Sequence, residues 1–259
     1  MGVLPILEDP GGQAMSEVLI DVDKVMVTYL MSHDRAGTLK EFTFQLLRRQ
    51  VRTERFIAAR EVSFQVRRGE TLSIIGPNGA GKTTMMKVVA RVLPPTEGRV
   101  VVRGNLAPMI ALGAGFNPEL TGYENIVLFG TLLGRSPTWM RARAAPIAEW
   151  AGLLDFLDVP IRSYSSGMLA RLGFAIASDT NPDVLLVDEV LAVGDEEFQR
   201  KSYQRMGEMM GQGAAVLLVS HDLAVVKKLS DRVIWMDHGR VRMEGDPGEV
   251  VDAYRATVG

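Results

Sequence analysis

Cysteine is absent from all 259 residues. That excludes disulfides and thiolate metal sites, and it removes support for a disulfide-stapled secreted domain. Histidine is scarce, and His33, His221 and His238 are too scattered to suggest a metal cluster. Charge of one sign is also missing: 29 Lys and Arg stand against 31 Asp and Glu, a net charge of −2. A nucleic-acid partner would leave a basic excess, so none is expected. No apolar run approaches the roughly 18 to 20 residues that a membrane helix needs. The opening stretch, MGVLPILEDPGGQAMSE, carries acids and no basic leader, so it reads as neither a signal peptide nor an export segment. Gly2 suits myristoylation, but Ile6 stands where that signal wants Ser or Thr. What is present is a globular composition, 47% apolar and 23% charged, long enough for one large domain or two smaller ones sharing a core. A cytoplasmic protein is expected, with association to a membrane partner left open.

Along the chain, residues 18 to 28 and EVSFQV (61 to 66) alternate apolar and polar, with Val62, Phe64 and Val66 on one face. This predicts half-buried antiparallel strands. TLSIIG and GRVVVRG add strand, so a β-rich lobe opens the protein. Residues 30 to 55 break the pattern as an insertion, in which TLKEFTFQLLRRQVR reads as an amphipathic basic helix. Such a helix is either a solvated surface or a docking element for a membrane or partner. From 113 to 178 the pattern is helical, with Ser136 as a cap and Pro137 in the first turn of one helix. DVLLVD and AAVLLVS are continuously apolar, which predicts a parallel sheet covered on both faces. RVIWMDHGRVRMEG predicts a hairpin turning near His238 and Gly239. The fold class is therefore α/β.

The strongest motif is GPNGAGKTT, comprising Gly76, Pro77, Asn78, Gly79, Ala80, Gly81, Lys82, Thr83 and Thr84. It follows the strand TLSII and precedes a predicted helix carrying Met86, Val89, Ala90 and Leu93 on one face, the context that a phosphate-binding loop requires. Glycines let backbone N–H groups wrap a phosphate, Lys82 neutralises its charge, and Thr83 offers a hydroxyl to magnesium. A merely connecting glycine turn leaves Lys82 and Thr83 without a task. In DVLLVDEVLAVGD, four apolar residues place Asp188 at a strand end, where it can hold magnesium, with Glu189 beside it to polarise an attacking water. LLVSHD brings Ser220 and His221 to the same edge. SYSSGM, residues 163 to 168, opens another helix with small side chains: Ser165 or Ser166 is an ordinary cap, or the bare N-terminus faces an anion.

These pieces in this order resemble an ATP-binding cassette (ABC) ATPase over about residues 18 to 248. The resemblance implies a cassette with an antiparallel β lobe, a RecA-like core and an inserted helical subdomain. Its segments are 18–112 and 179–248 for lobe and core, with insertion 30–55, and 113–178 for the helices. It implies ATP and Mg2+ as ligands, Glu189 as catalytic carboxylate, a D-loop at Asp195 and a switch histidine at His221. YSSGM matches the signature usually written LSGGQ, so Ser165, Ser166 and Gly167 meet the γ-phosphate held by a second copy of the chain. Arg171 matches the arginine that follows. Tyr29, near the end of the first strand, or Phe56 stacks on adenine. Two departures stand out: Ser166 and Met168 replace a glycine and a glutamine, and no Gln occurs between Gln65 and Gln199 to serve the loop joining the lobes. Asn117 in ALGAGFNPELTGYENI offers a substitute carbonyl.

LGAGFNPELTGYENI, YSSGM and DEVLAVGDEEFQRK together are similar to the cassette subunits of bacterial polysaccharide exporters, of the O-antigen, teichoic acid or cell-wall galactan type. That implies an ATPase at the cytoplasmic face of the membrane, a separate transmembrane permease, and a lipid-linked polysaccharide as cargo. A single cassette over 1–259 is expected, with no additional carbohydrate-binding domain. The alternative is an ABC ATPase that regulates a membrane-bound cell-envelope partner without transport.

Overall fold

The computed structural model describes residues 17–32, 53–109, 115–188 and 196–258. Two sheets carry it. The first pairs β1 (Val18–Ser32) antiparallel with β2 (Thr53–Arg67) on one side and β4 (Glu97–Val102) on the other. Val62, Phe64 and Val66 are buried on the face that alternation predicts, with Val25, Val22 and Ile20 opposite them in turn. Both strands outrun their predicted ends. Leu30 pairs with Arg55 and Ser32 with Thr53, so the margins of segment 30–55 are strand rather than insertion. Backbone pairing continues there without the apolar alternation that would have announced it. The helix predicted in TLKEFTFQLLRRQVR lies outside the described residues.

The second sheet has the order β5-β6-β7-β3-β8-β9, formed by β3 (Thr71–Ile75), β5 (Leu106–Pro108), β6 (Val184–Val187), β7 (Ala215–Val219), β8 (Arg232–Asp237) and β9 (Arg240–Gly245). All pairs are parallel except β8 with β9. The pleat explains why β6 is apolar throughout. Val184 and Leu186 enter one core with Met85, Met86 and Val89, whereas Leu185 and Val187 enter a second with Phe174, Phe198 and Met206. Each such side chain contributes roughly 1.5–3 kcal/mol by leaving water, so both faces anchor the strand. The β8–β9 hairpin turns at His238 and Gly239, both with positive φ, as a two-residue turn demands.

The helix after the phosphate loop, α1 (Lys82–Val89), buries Met85, Met86, Val88 and Val89. It ends earlier than predicted: Ala90 is its cap, Arg91 has φ 60°, and Leu93 lies beyond. The paired prolines Pro94 and Pro95 then forbid helix. A third core is built by α2 (Gly122–Leu132), α3 (Pro137–Trp150) and α4 (Ser166–Asp179). The Ser136 hydroxyl caps α3 by accepting from Trp139 N at 3.2 Å, with Pro137 in the first turn as predicted. Arg143 of α3 makes a bidentate pair with Asp179 at the end of α4, at 3.0 and 2.6 Å. Helix α5 (Glu196–Gly211) packs beneath the parallel sheet, α6 (Leu223–Leu229) follows β7, and α7 (Pro247–Val258) buries Val250 and Val251 against β8. Among the described residues no helix is long and apolar enough to cross a membrane.

Candidate functional site

The loop between β3 and α1 is built by glycine. Gly76, Gly79 and Gly81 have φ of 145°, 80° and 100°. A Cβ on Gly76 would collide with the Met236 carbonyl, and one on Gly81 with that of Ala58, so the loop lies tightly against β8 and β2. Ala80 N donates to the Pro77 carbonyl at 3.2 Å and closes the turn. At the start of α1 no side chain caps the helix and the first turn holds no acid. Its backbone N–H groups and positive dipole end thus suit an anion.

Lys82 is 6% exposed, and its Nζ donates to the Gly76 and Pro77 carbonyls at 2.6 and 2.9 Å. Burial lowers the Lys82 pKa, while the Asp188 carboxylate opposes the shift. Asp188 sits at the C-terminal end of β6, where burial raises its pKa against the charges of His221 and Lys82. Lys82 and Asp188 thus stand at the C-terminal ends of the parallel strands, where ligands bind in open α/β folds, with burial opposing the charge on each.

One cleft of about 270 Å³ gathers these groups. Its lining includes Asn78, Gly79, Ala80, Gly81, Lys82, Thr83, Thr84, Asp188 and His221 from the sequence candidates. Gly76 and Pro77 stay behind the wall as acceptors for Lys82. Tyr29 and Phe56 both line the cleft and face each other across the β1–β2 ladder. Tyr29 also packs on the lobe core, whereas Phe56 is 46% exposed. Ala58 and Val219 complete the wall without a sequence signal. Glu189 and Asp195 lie outside the described residues.

The residues expected to form the signature lie elsewhere. Ser165 caps α4, its hydroxyl accepting from Met168 N at 3.2 Å, so Ser166 is the first helical residue. Ser165 and Ser166 are exposed, and neither they nor Gly167 line the cleft of their own chain. Asn117 does not reach that cleft either, contrary to expectation. Its Oδ1 accepts from Glu119 N at 3.0 Å, and its backbone is held by Asn125. Asn125 is fully buried: its Oδ1 accepts from Asn117 N at 2.8 Å, and its Nδ2 donates to the Asn117, Leu120 and Thr121 carbonyls at 2.9 to 3.0 Å. Asn125→Leu orphans the Asn117 N–H and takes one donor from each of the three carbonyls, which keep their backbone donors Leu120 N, Ile161 N and Asn125 N. We expect a loss of about 2–3 kcal/mol, read as a melting-temperature drop of roughly 5–10 °C by calorimetry. An unchanged melting temperature would show that the loop is held by other means.

The ABC transporter family matches residues 59–192. The O-antigen export system ATP-binding protein RfbB of Klebsiella pneumoniae is 42% identical over 239 residues, covering 92% of this chain and 97% of that protein. The teichoic acids export ATP-binding protein TagH of Shouchella clausii is 41% identical over 87% of this chain and 62% of its own length. The fold matches the ATP-binding cassette MJ0796, in a dimeric post-hydrolysis state bound to ADP and Pi, with a TM-score of 0.70. Identity there is 24%, covering 88% of this chain and 98% of that one. With the family model matching residues 59–192 and the Klebsiella pneumoniae relative matched over 97% of its own length at 42% identity, the chain belongs to the ABC transporter family.

Proposed function

We infer that this chain is the ATP-hydrolysing subunit of an exporter that moves a lipid-linked polysaccharide across the bacterial cytoplasmic membrane. One observation carries the ATPase reading: Lys82, Thr83, Asp188 and His221 meet in one cleft, while Ser165, Ser166 and Gly167 lie outside it, the two serines exposed. A second copy of the chain, turned head to tail, brings its signature helix to the phosphate end of this cleft. The exporter reading is supported by the Klebsiella pneumoniae relative, an ATP-binding protein of O-antigen export that the match spans almost completely.

In this reading the loop N–H groups and Lys82 hold the β- and γ-phosphates of ATP, and Tyr29 or the more exposed Phe56 stacks on the base. Thr83 and Asp188 present two hard oxygens to one cleft, a donor set that fits magnesium alongside phosphate oxygens. The ion would neutralise charge on the transferring phosphoryl group. Glu189 accepts the proton of the attacking water, and His221 faces the γ-phosphate. Asp195 approaches the partner chain. The chain works at the cytoplasmic face of the membrane, bound to a separate transmembrane permease.

Ser166→Asp tests the contact between copies. A carboxylate at that position meets the partner's γ-phosphate as a like charge, so turnover is expected to fall about 10²-fold. ATP binding to the single chain and its melting temperature stay unchanged. Unaltered turnover would sink the head-to-tail arrangement. Depletion of the chain is expected to accumulate lipid-linked glycan inside the cell, and depletion without accumulation would overturn the exporter assignment.

A further inference from the structure

Three helices, α3, α4 and α5, meet at one aromatic cluster. Trp150, the last residue of α3, stacks on Phe174 of α4 with centroids 5.6 Å apart and planes at 18°. Phe198 of α5 sits edge-on to both rings, at 5.4 Å from Trp150 and 6.0 Å from Phe174. Trp150 packs against two cores at once, the helical one and the one beneath the parallel sheet. Lys201, one turn further along α5, completes the junction. Its Nζ donates to the Trp150 carbonyl at 2.6 Å and lies 4.6 Å from the centre of the Trp150 ring. A cation therefore sits on the negative end of α3 and on an aromatic face together.

The junction has a lever arm. Phe174 lies eight residues after Ser166 along α4, about 12 Å at 1.5 Å per residue. A tilt of α4 by roughly 5° about that point displaces the signature by about 1 Å. Such a displacement can cost up to about 10²-fold in rate when two groups must meet in register. None of Trp150, Phe174, Phe198 and Lys201 lines the nucleotide cleft, so the junction leaves ATP binding by the chain's own loop untouched.

We propose that Lys201 and Trp150 are positioning residues for ATP turnover. By fastening the end of α3 to α5 around Phe174, they fix the angle at which α4 presents Ser165, Ser166 and Gly167 to the partner's phosphate. The proposal rests on the reading of those three residues as a phosphate site acting across two copies of the chain.

The test uses the absence of cysteine. Spin labels on Ser166→Cys and Glu208→Cys report the distance from signature to α5 in the full-length chain without nucleotide, while turnover and ATP affinity are measured on unlabelled protein. Lys201→Met keeps the apolar stem over Trp150 and removes the donor and the charge. We expect a broadened distance distribution and turnover lowered about tenfold, with the ATP affinity of the single chain within twofold of the parent. Lys201→Arg is expected to restore both the narrow distribution and the turnover. Trp150→Leu should act in the same direction more strongly, and if it fails to fold, Lys201→Met still decides. An unchanged distribution, a broadened one with parental turnover, or a loss of ATP affinity matching the loss of turnover overturns the proposal. Failure of the underlying two-copy reading is seen separately, in the parent protein, as specific activity that does not depend on chain concentration.

Discussion

Lys82→Met is expected to weaken ATP binding by about 10²-fold or more and to leave turnover near background. The ammonium is almost wholly enclosed by its own loop, donating to the Gly76 and Pro77 carbonyls and facing Asp188. A charge pair about 4 Å apart at an effective dielectric near 20 is worth roughly 4 kcal/mol, so losing one cation beside polyphosphate is ample for such a drop. Methionine retains a similar unbranched stem, and the loop glycines that shape the turn are untouched. The folded chain is therefore expected to keep its melting temperature within a few degrees. Equilibrium binding of a fluorescent ATP analogue, with phosphate release, checks both parts. Parental affinity would remove Lys82 from the phosphate site and leave its burial as a structural feature of the loop.

Glu189→Gln is expected to separate binding from chemistry. The substitution keeps size and polarity but removes the group assigned to accept a proton from water, and a positioned general base is worth about 10²–10⁴-fold. Turnover should drop by about 10³-fold, while ATP affinity stays within a few-fold because Lys82, Thr83 and Asp188 are intact. With hydrolysis blocked, ATP-bound pairs of chains should accumulate, visible as a doubling of mass by light scattering in ATP and its absence in ADP. Turnover within tenfold of the parent would exclude Glu189 as the base and shift attention to His221, which lines the same cleft.

The parts of the fold most legible in sequence were those whose signal is local. The turn at His238 and Gly239 needs two positive φ values and is announced by its residues. The Ser136 cap is a side-chain contact within three residues, and in SYSSGM, where the sequence leaves Ser165 or Ser166 as the cap, the structure uses Ser165. The Gly76–Thr84 loop is legible because its glycines and Lys82 each have a separate local reason to be there. Where the sequence reading stopped short, the missing element is held by partners distant in the chain. Leu106–Pro108 is a strand because Val184 to Leu186 pair with it. The far ends of β1 and β2 are strand because they pair with each other, although Arg55 and Phe56 are exposed and break the alternation. Helix α7 did carry a local signal, since Asp246 Oδ1 accepts from Gly248 N at 2.7 Å just before its first turn. Pro247 follows that cap directly, so DPGEVV was readable as a helix start.

By itself the sequence determined the local chemistry: a loop shaped by glycines, a lysine beside it, and a carboxylate delivered by an apolar strand. These follow from residue type and short spacing, because backbone conformation and charge are local properties. Only the tertiary structure decided which of these groups share a cleft. It brought Asp188 and His221 beside Lys82 by ordering β6, β7 and β3 as neighbours, and it set Tyr29 opposite Phe56 by strand register. It also left Ser165 and Ser166 exposed and outside the cleft of their own chain, with α4 wedged between two cores by Phe174 on one side and Ile176 on the other. Packing of side chains far apart in sequence governs those placements, since the burial that holds each element is supplied by residues that the local sequence does not contain.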